Sequence, residues 1–217
     1  MIARSGRSRP RTVLVFGESE NDTHSVRELV RGLWPGFTGA VKPVRRPPVY
    51  DRNAASQAVR SRVARMCQVV AAERATSEVI AVLVHRDCDD VEPSHKTHAS
   101  QIETEFRDHG VEVVPVTPAW EFEAWLFLWP AAVAAYRNDW RSVESYAGRQ
   151  VGLIRNAKEE FRRAVRAPRR SSRDYRESDA PEIVRKAREL GIIPYPRAQS
   201  DSFQQFRQSV GRRLGTP

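Results

Sequence analysis

Two hydrophobic patterns alternate along roughly the first half of the chain: short unbroken apolar runs, and longer stretches in which apolar residues recur every three or four positions. The run TVLVF at 12–16 is β-branched and apolar, lies between a basic segment and Gly17, and predicts a strand buried on both faces. Val26, Leu29, Val30 and Leu33 then repeat at helical spacing, which predicts a helix capped by Asp22 or Thr23 and stopped by Pro35-Gly36. A short second strand over 40–44 precedes RRPPVYDRN, whose prolines exclude a helix. Val59, Val63, Met66, Val69 and Val70 stripe a helix over about 54–76. EVIAVLVH at 78–85 is a continuous apolar run of the kind a central parallel strand shows. The polar loop VEPSHKTH then leads to a helix over 99–109, closed by Gly110, and to a strand over 111–116.

The alternation β-α-β-α-β-α-β predicts an α/β fold, with a parallel sheet of about four strands joined by right-handed crossovers and flanked by helices. Beyond Trp120 the spacing predicts helices over 121–136, 139–147, 155–166, 181–190 and 201–213. Three parts are expected: a basic disordered tail over 1–11, an α/β domain over 12–136, and a helical, arginine-rich extension packed on it over 137–217.

Parallel sheets bind ligands beyond the carboxyl ends of their strands, and that rule selects three acidic clusters here: GESEND, RDCDD and PAWEFEAW. Asp87 and Asp89 leave the third strand with one residue between them, so an extended continuation points both carboxylates to one side. Two such carboxylates suit a hard cation such as Mg2+ or Mn2+, and Glu18 and Glu20 sit where they could complete a site for phosphoryl transfer. Nucleotide-sugar transferases also hold a metal-bound diphosphate with a DxD, so the pair alone leaves the reaction open. Acidic residues after strands also serve simply as loop residues and helix caps.

Charge adds a second theme. The net charge is +9, yet residues 1–136 carry 17 Lys/Arg against 17 Asp/Glu while residues 137–217 carry 19 against 10, so the whole excess lies at the C-terminal end. Most of it is arginine, concentrated in RRAVRAPRRSSRDYR, and arginine's planar fork suits phosphate oxygens. A polyanion such as DNA or RNA is the expected partner, held by counterion release. Solvated arginine faces are the bland alternative. The longest nearly uncharged run, 124–136, has 13 residues, short of the roughly 20 a membrane-spanning helix needs. With no signal-peptide pattern and only Cys67 and Cys88, without a CxxC, a reducing cytoplasmic setting is expected. His95 and His98 have H-x-x-H spacing but no third ligand fixed nearby. Trp120, Trp125 and Trp129 are read as a packing face, and Cys88, between two aspartates, as no nucleophile. GxxxxGK[ST], GxGxxG and GxSxG are all absent, so any ATPase activity would come from a partner.

Taken together, VLVFGESEND, VLVHRDCDD and PAWEFEAWLF resemble the Toprim-like proteins related to the overcoming-lysogenization-defect nucleases, including a group of unassigned domains found beside ABC-type ATPases in bacterial defence loci. NAKEEFRRAV, YRES and SDSFQQF look like that group's C-terminal segments. The resemblance implies a magnesium-dependent nuclease in an anti-phage defence system, with an ABC- or SMC-type ATPase partner; self-association is left open. By the same resemblance Asp87 and Asp89 match metal-binding aspartates, Glu20 matches the second acid of the first loop and a metal ligand, and Glu121 or Glu123 matches a catalytic acid, with Glu18 placed to join them in catalysis. Helical spacing sets Glu121 on the Trp125 face and Glu123 about 200° round, which favours Glu121 as the acid facing the site. Lys158, Arg162, Arg163, Arg166, Arg169, Arg170 and Arg173 are the expected nucleic-acid contacts. One departure stands out: the family pattern places a glutamate directly before the glycine, where this chain has Phe16. Either Glu18 replaces it, or the protein is a catalytically inactive subunit that binds nucleic acid or the ATPase.

Overall fold

The computed structural model describes residues 9–44, 56–166 and 173–215. Four strands, β1 (Arg11–Phe16), β2 (Ala40–Pro43), β3 (Glu78–His85) and β4 (Val114–Val116), form one parallel sheet in the order β2-β1-β3-β4. The expected α/β fold with a helix-flanked parallel sheet is therefore present. Chain order runs outward to β2 from β1, then restarts on the other side with β3, so the switch in direction falls between the carboxyl ends of β1 and β3.

Alternation along the two central strands decides what covers each face. Val13 and Val15 of β1 and Ala81 and Leu83 of β3 join one buried cluster; Leu14 and Phe16, with Val82 and Val84, join the other. The second cluster is closed by Val63, Met66 and Val70 of α2 (Ser56–Thr76) and by Ile102 and Phe106 of α3 (His95–Arg107). The first and larger one takes α1 (Glu20–Leu33), α4 (Glu123–Leu126), α5 (Pro130–Tyr136), α6 (Ala157–Val165), α7 (Ala180–Glu189) and α8 (Asp201–Leu214). Residues from Val13 to Val210 thus share one core, and the basic C-terminal helices supply much of one layer. Trp125 and Trp129 are fully buried within it, as their apolar setting predicts, and each indole N–H finds an acceptor: Ser202 Oγ at 3.0 Å and the Ile193 carbonyl at 3.3 Å.

Several boundaries differ from expectation, each for a local reason. α1 starts at Glu20 because Ser19, not Asp22 or Thr23, is its cap: Ser19 Oγ accepts from the Asp22 N–H while the Asp22 carboxylate accepts from the Ser19 N–H. α3 begins at His95, inside the stretch expected to be loop, because His95 and His98 extend the buried stripe of Ala99, Ile102 and Phe106 with polar letters. The helix expected over 121–136 is two helices: Trp129 is held out of the helical region ahead of Pro130, which then opens α5. Over 139–147 only a 3-10 turn, Glu144–Tyr146, forms. β4 is three residues long, and Arg11, expected in the tail, already belongs to β1. No helix among the described residues is long and apolar enough to cross a membrane.

Candidate functional site

Beyond the β1 and β3 ends lies a cleft of about 160 Å3 lined by Glu18, Ser19, Asn21, Asp22, Asp87, Phe122, Glu123, Lys158, Glu177 and Ala180. The sheet itself builds its floor. The β3–β4 pairing carries on past the strands, with the Arg86 N–H donating to the Val116 carbonyl, Cys88 to Pro118, Asp89 to Trp120 at 2.9 Å, and the Trp120 N–H back to the Asp90 carbonyl at 2.7 Å. Asp89 (φ +51°) and Trp120 (φ +59°) are both left-handed, a backbone state that costs about 1–3 kcal/mol each in a non-glycine residue and that this ladder imposes. The loop after β3 is thereby locked to the segment that carries Glu121 and Glu123.

Each acid has its own support. Glu18 sits between β1 and the α1 cap, where burial pushes its carboxyl up to about 7, helped by Asp87, Asp22 and Asp89 and opposed by His85. Asp87 is also raised, chiefly by burial, with His85 pulling the other way; its Oδ1 is buried and has no hydrogen-bond partner. Glu123, 5% exposed, accepts a 2.9 Å hydrogen bond from the Tyr175 hydroxyl, yet burial and then Asp87 push it up to about 7. Beneath them His85 is fully buried, its Nε2 3.3 Å from Asp87 Oδ1 and its Nδ1 3.8 Å from Asp22 Oδ2. Burial alone would lower its pKa, but Asp22 and Asp87 overcome that and raise it to about 9.

Lys158 closes one side. Its Nζ lies 3.3 Å from Glu121 and 3.1 Å from Glu177, and the Glu121 carboxylate also accepts the Lys158 backbone N–H at 2.9 Å, at the N-terminus of α6. Burial works against the ammonium, but Glu177, Glu121 and Glu123 hold its pKa above the usual lysine value.

Of the expected acids, Glu18 and Asp87 come together in the cleft. Glu20 and Asp89 are exposed and do not line it, although Asp89 is near enough to act on Glu18. Glu121 turns to Lys158 and α6, and Glu123 is the acid that lines the cleft. The helical-wheel argument for Glu121 fails because α4 begins only at Glu123, so Glu121 lies in the preceding turn and obeys no helical spacing. Phe16 is fully buried against α2 and α3, so the position before Gly17 faces core and not cleft. The sequence marks Asp22 only as a helix cap, and Tyr175 and Glu177 only within the family-like YRES segment; the structure adds all three to the site.

The donors fit a hard divalent cation in kind, being carboxylate oxygens gathered in one cleft. Among the described residues, however, no three His, Cys, Asp or Glu side chains already stand in metal-holding geometry.

A larger cleft of about 550 Å3 runs along α6 and is lined by Arg155, Asn156, Arg162, Arg163 and Arg166 together with Glu159, Glu160 and Asp174. Two of the expected nucleic-acid contacts are engaged there: Arg162 pairs with Glu159 at 2.7 Å, and Arg163 pairs with Glu160. Arg173 holds the buried Asp179 carboxylate at 2.8 Å beside the Tyr136 hydroxyl, a structural role. Arg155 and Arg166 make no hydrogen bond or ion pair among the described residues. Arg169 and Arg170 lie outside the described residues. Set against known proteins, the chain matches no family model, no curated protein and no solved structure.

Proposed function

We propose that this protein is a divalent-cation-dependent phosphodiesterase acting on a nucleic acid, with Glu18, Asp87 and Glu123 as its acidic centre. The observation that carries the reading is the convergence of three carboxyl groups from three different strand ends into one cleft at the sheet's switch point, two of them pushed up to about 7 and the third, Asp87, also raised by burial. Carboxyl groups crowded this way repel one another when ionised, and a bound cation relieves that repulsion. Glu18, Asp87 and Glu123 would hold Mg2+ or Mn2+, which would supply Lewis acidity for phosphodiester hydrolysis.

The chain's own residues do the rest. Lys158, at the cleft wall, is placed to neutralise a phosphate oxygen as charge develops. Tyr175 fixes the Glu123 carboxyl through its hydroxyl. Arg155 and Arg166, which flank α6 and make no ion pair among the described residues, offer the strand its phosphate contacts, with Arg169 and Arg170 as further candidates from sequence. Glu18, in the loop just past Gly17, brings a carboxyl group to the cleft where Phe16 cannot, which supports the Toprim-like reading. That reading brings with it the cytoplasmic defence setting and the ABC- or SMC-type ATPase partner.

The test is incubation of purified protein with single-stranded DNA, duplex DNA and transfer RNA in Mg2+, in Mn2+ and in chelator, with Asp87→Asn alongside. Cleavage that needs the cation and disappears in the variant is the expected result. Salt-sensitive binding with no cleavage in any cation would favour the inactive-subunit reading, and equal cleavage by the variant would reject this centre.

A further inference from the structure

We propose that His85 is a positioning residue for Asp87, the strut that holds this carboxylate at the cleft against the capped end of α1. The inference rests on the acidic centre proposed above and assigns to that centre a supporting residue one layer beneath it.

Four observations meet at this side chain. His85 is the last residue of β3, and its ring is fully buried under the cleft floor. Phe122, itself 2% exposed, packs against it as a tilted ring 5.9 Å away between centroids, closing one side of the imidazole. Nε2 stands 3.3 Å from Asp87 Oδ1, the oxygen that has no other partner. On its far side Nδ1 faces Asp22 Oδ2 at 3.8 Å, and that oxygen is already pinned by the Ser19 N–H at 2.9 Å and the Ser19 hydroxyl at 2.8 Å.

The arrangement is directional. Asp22 and Asp87 both border the cleft, but Asp22 is fixed by the capping box and the ring by burial and by Phe122, so Asp87 is the member whose buried oxygen relies on the ring. A ring held from behind in this way orients the carboxylate in front of it. Groups that orient a metal-binding side chain typically change metal affinity 10–100-fold when removed. A residue that merely filled core volume would tolerate an apolar side chain of similar size.

Three substitutions separate these roles. Gln places its amide nitrogen where Nε2 meets Asp87, Asn places its own nearer the Nδ1 position facing Asp22, and Leu fills the space with no polar atom. Mn2+ binding to the intact protein, followed by electron paramagnetic resonance, is the readout, with urea unfolding of each variant to confirm a cooperative fold. The expected order is wild type close to His85→Gln, with His85→Asn and His85→Leu weakened about 10–100-fold. Equal affinity in wild type and His85→Leu would overturn the positioning role while leaving the acidic centre intact. Wild-type protein that binds no Mn2+ would instead reject the centre itself. Should His85→Leu fail to fold, His85→Asn against His85→Gln still decides, because both are polar and only Gln reaches Asp87; equal weakening in the two overturns the role.

Discussion

Replacing Glu123 with Gln should stabilise the cation-free protein, and by an amount that depends on pH. The side chain is 5% exposed, and its carboxyl is pushed from its ordinary 4.5 to about 7, first by burial and then by Asp87. A carboxyl whose folded pKa is raised contributes stability that is fully present below the unfolded value and lost as pH climbs through the folded one, because the unfolded chain releases the proton more readily. Between pH 5 and pH 8 that single group costs wild type about 2.5 kcal/mol, at 1.36 kcal/mol per pKa unit. Gln keeps the shape and can still accept from the Tyr175 hydroxyl, so the variant loses little else. The assay is urea unfolding in chelator, followed by the fluorescence of the buried Trp125 and Trp129. Stabilities should lie within about 1 kcal/mol at pH 5, with the variant ahead by about 2–3 kcal/mol at pH 8. Saturating Mn2+ should reverse the order at pH 8, because a ligand that binds only the folded wild type stabilises it by mass action. Wild type and variant tracking each other at both pH values in chelator would refute the electrostatic reasoning.

Two further expectations test other parts of the structure. Gly152→Ala would set its Cβ 1.9 Å from Glu92 Cδ, and Glu92 caps α8 by accepting from Ser200 Oγ and from the Asp201 and Ser202 N–H groups, so unfolding should show a loss of about 1–3 kcal/mol or more. A melting temperature unchanged from wild type would mean that this cap yields freely. Arg155→Ala with Arg166→Ala should lower the salt slope of polynucleotide binding by about 2, one per lost phosphate contact, whereas Arg162→Ala with Arg163→Ala should lower it less because both are already paired. Equal slopes for the two double variants would contradict that distinction.

The strands were legible because burial on both faces leaves short β-branched apolar runs such as TVLVF and EVIAVLVH, whereas the longer apolar run at 124–136 lies mostly in helices. Element ends were harder to read where polar residues are buried. His95 and His98 continue the buried face of α3 but look like loop in one dimension, and Ser19 caps α1 while lying in a string of other capping letters. At the site, the strand-end rule led to the right three loops, since topology alone carries acids there. It did not decide which acid in each loop points inward. Glu123 displaced Glu121 in the cleft because α4 starts later than the apolar spacing implies, and Asp89 swings outward because the loop ladder holds it left-handed. Glu20 opens α1 on its exposed side for the same reason that Ser19 is the cap. Tyr175 meets Glu123 across 52 residues of chain, a contact that YRES marks only by resemblance and that no local spacing reveals.

The central claim, that Glu18, Asp87 and Glu123 form one cation-binding centre, is tested most directly by the stoichiometry and affinity of Mn2+ binding. Wild type would be titrated beside Glu18→Gln, Asp87→Asn and Glu123→Gln, each shown to be folded. The account predicts a saturable site in wild type that each substitution weakens at least tenfold, with Glu20→Gln, on the exposed start of α1, close to wild type. Binding unaltered by all three substitutions, or absent from the folded wild-type protein, would contradict it.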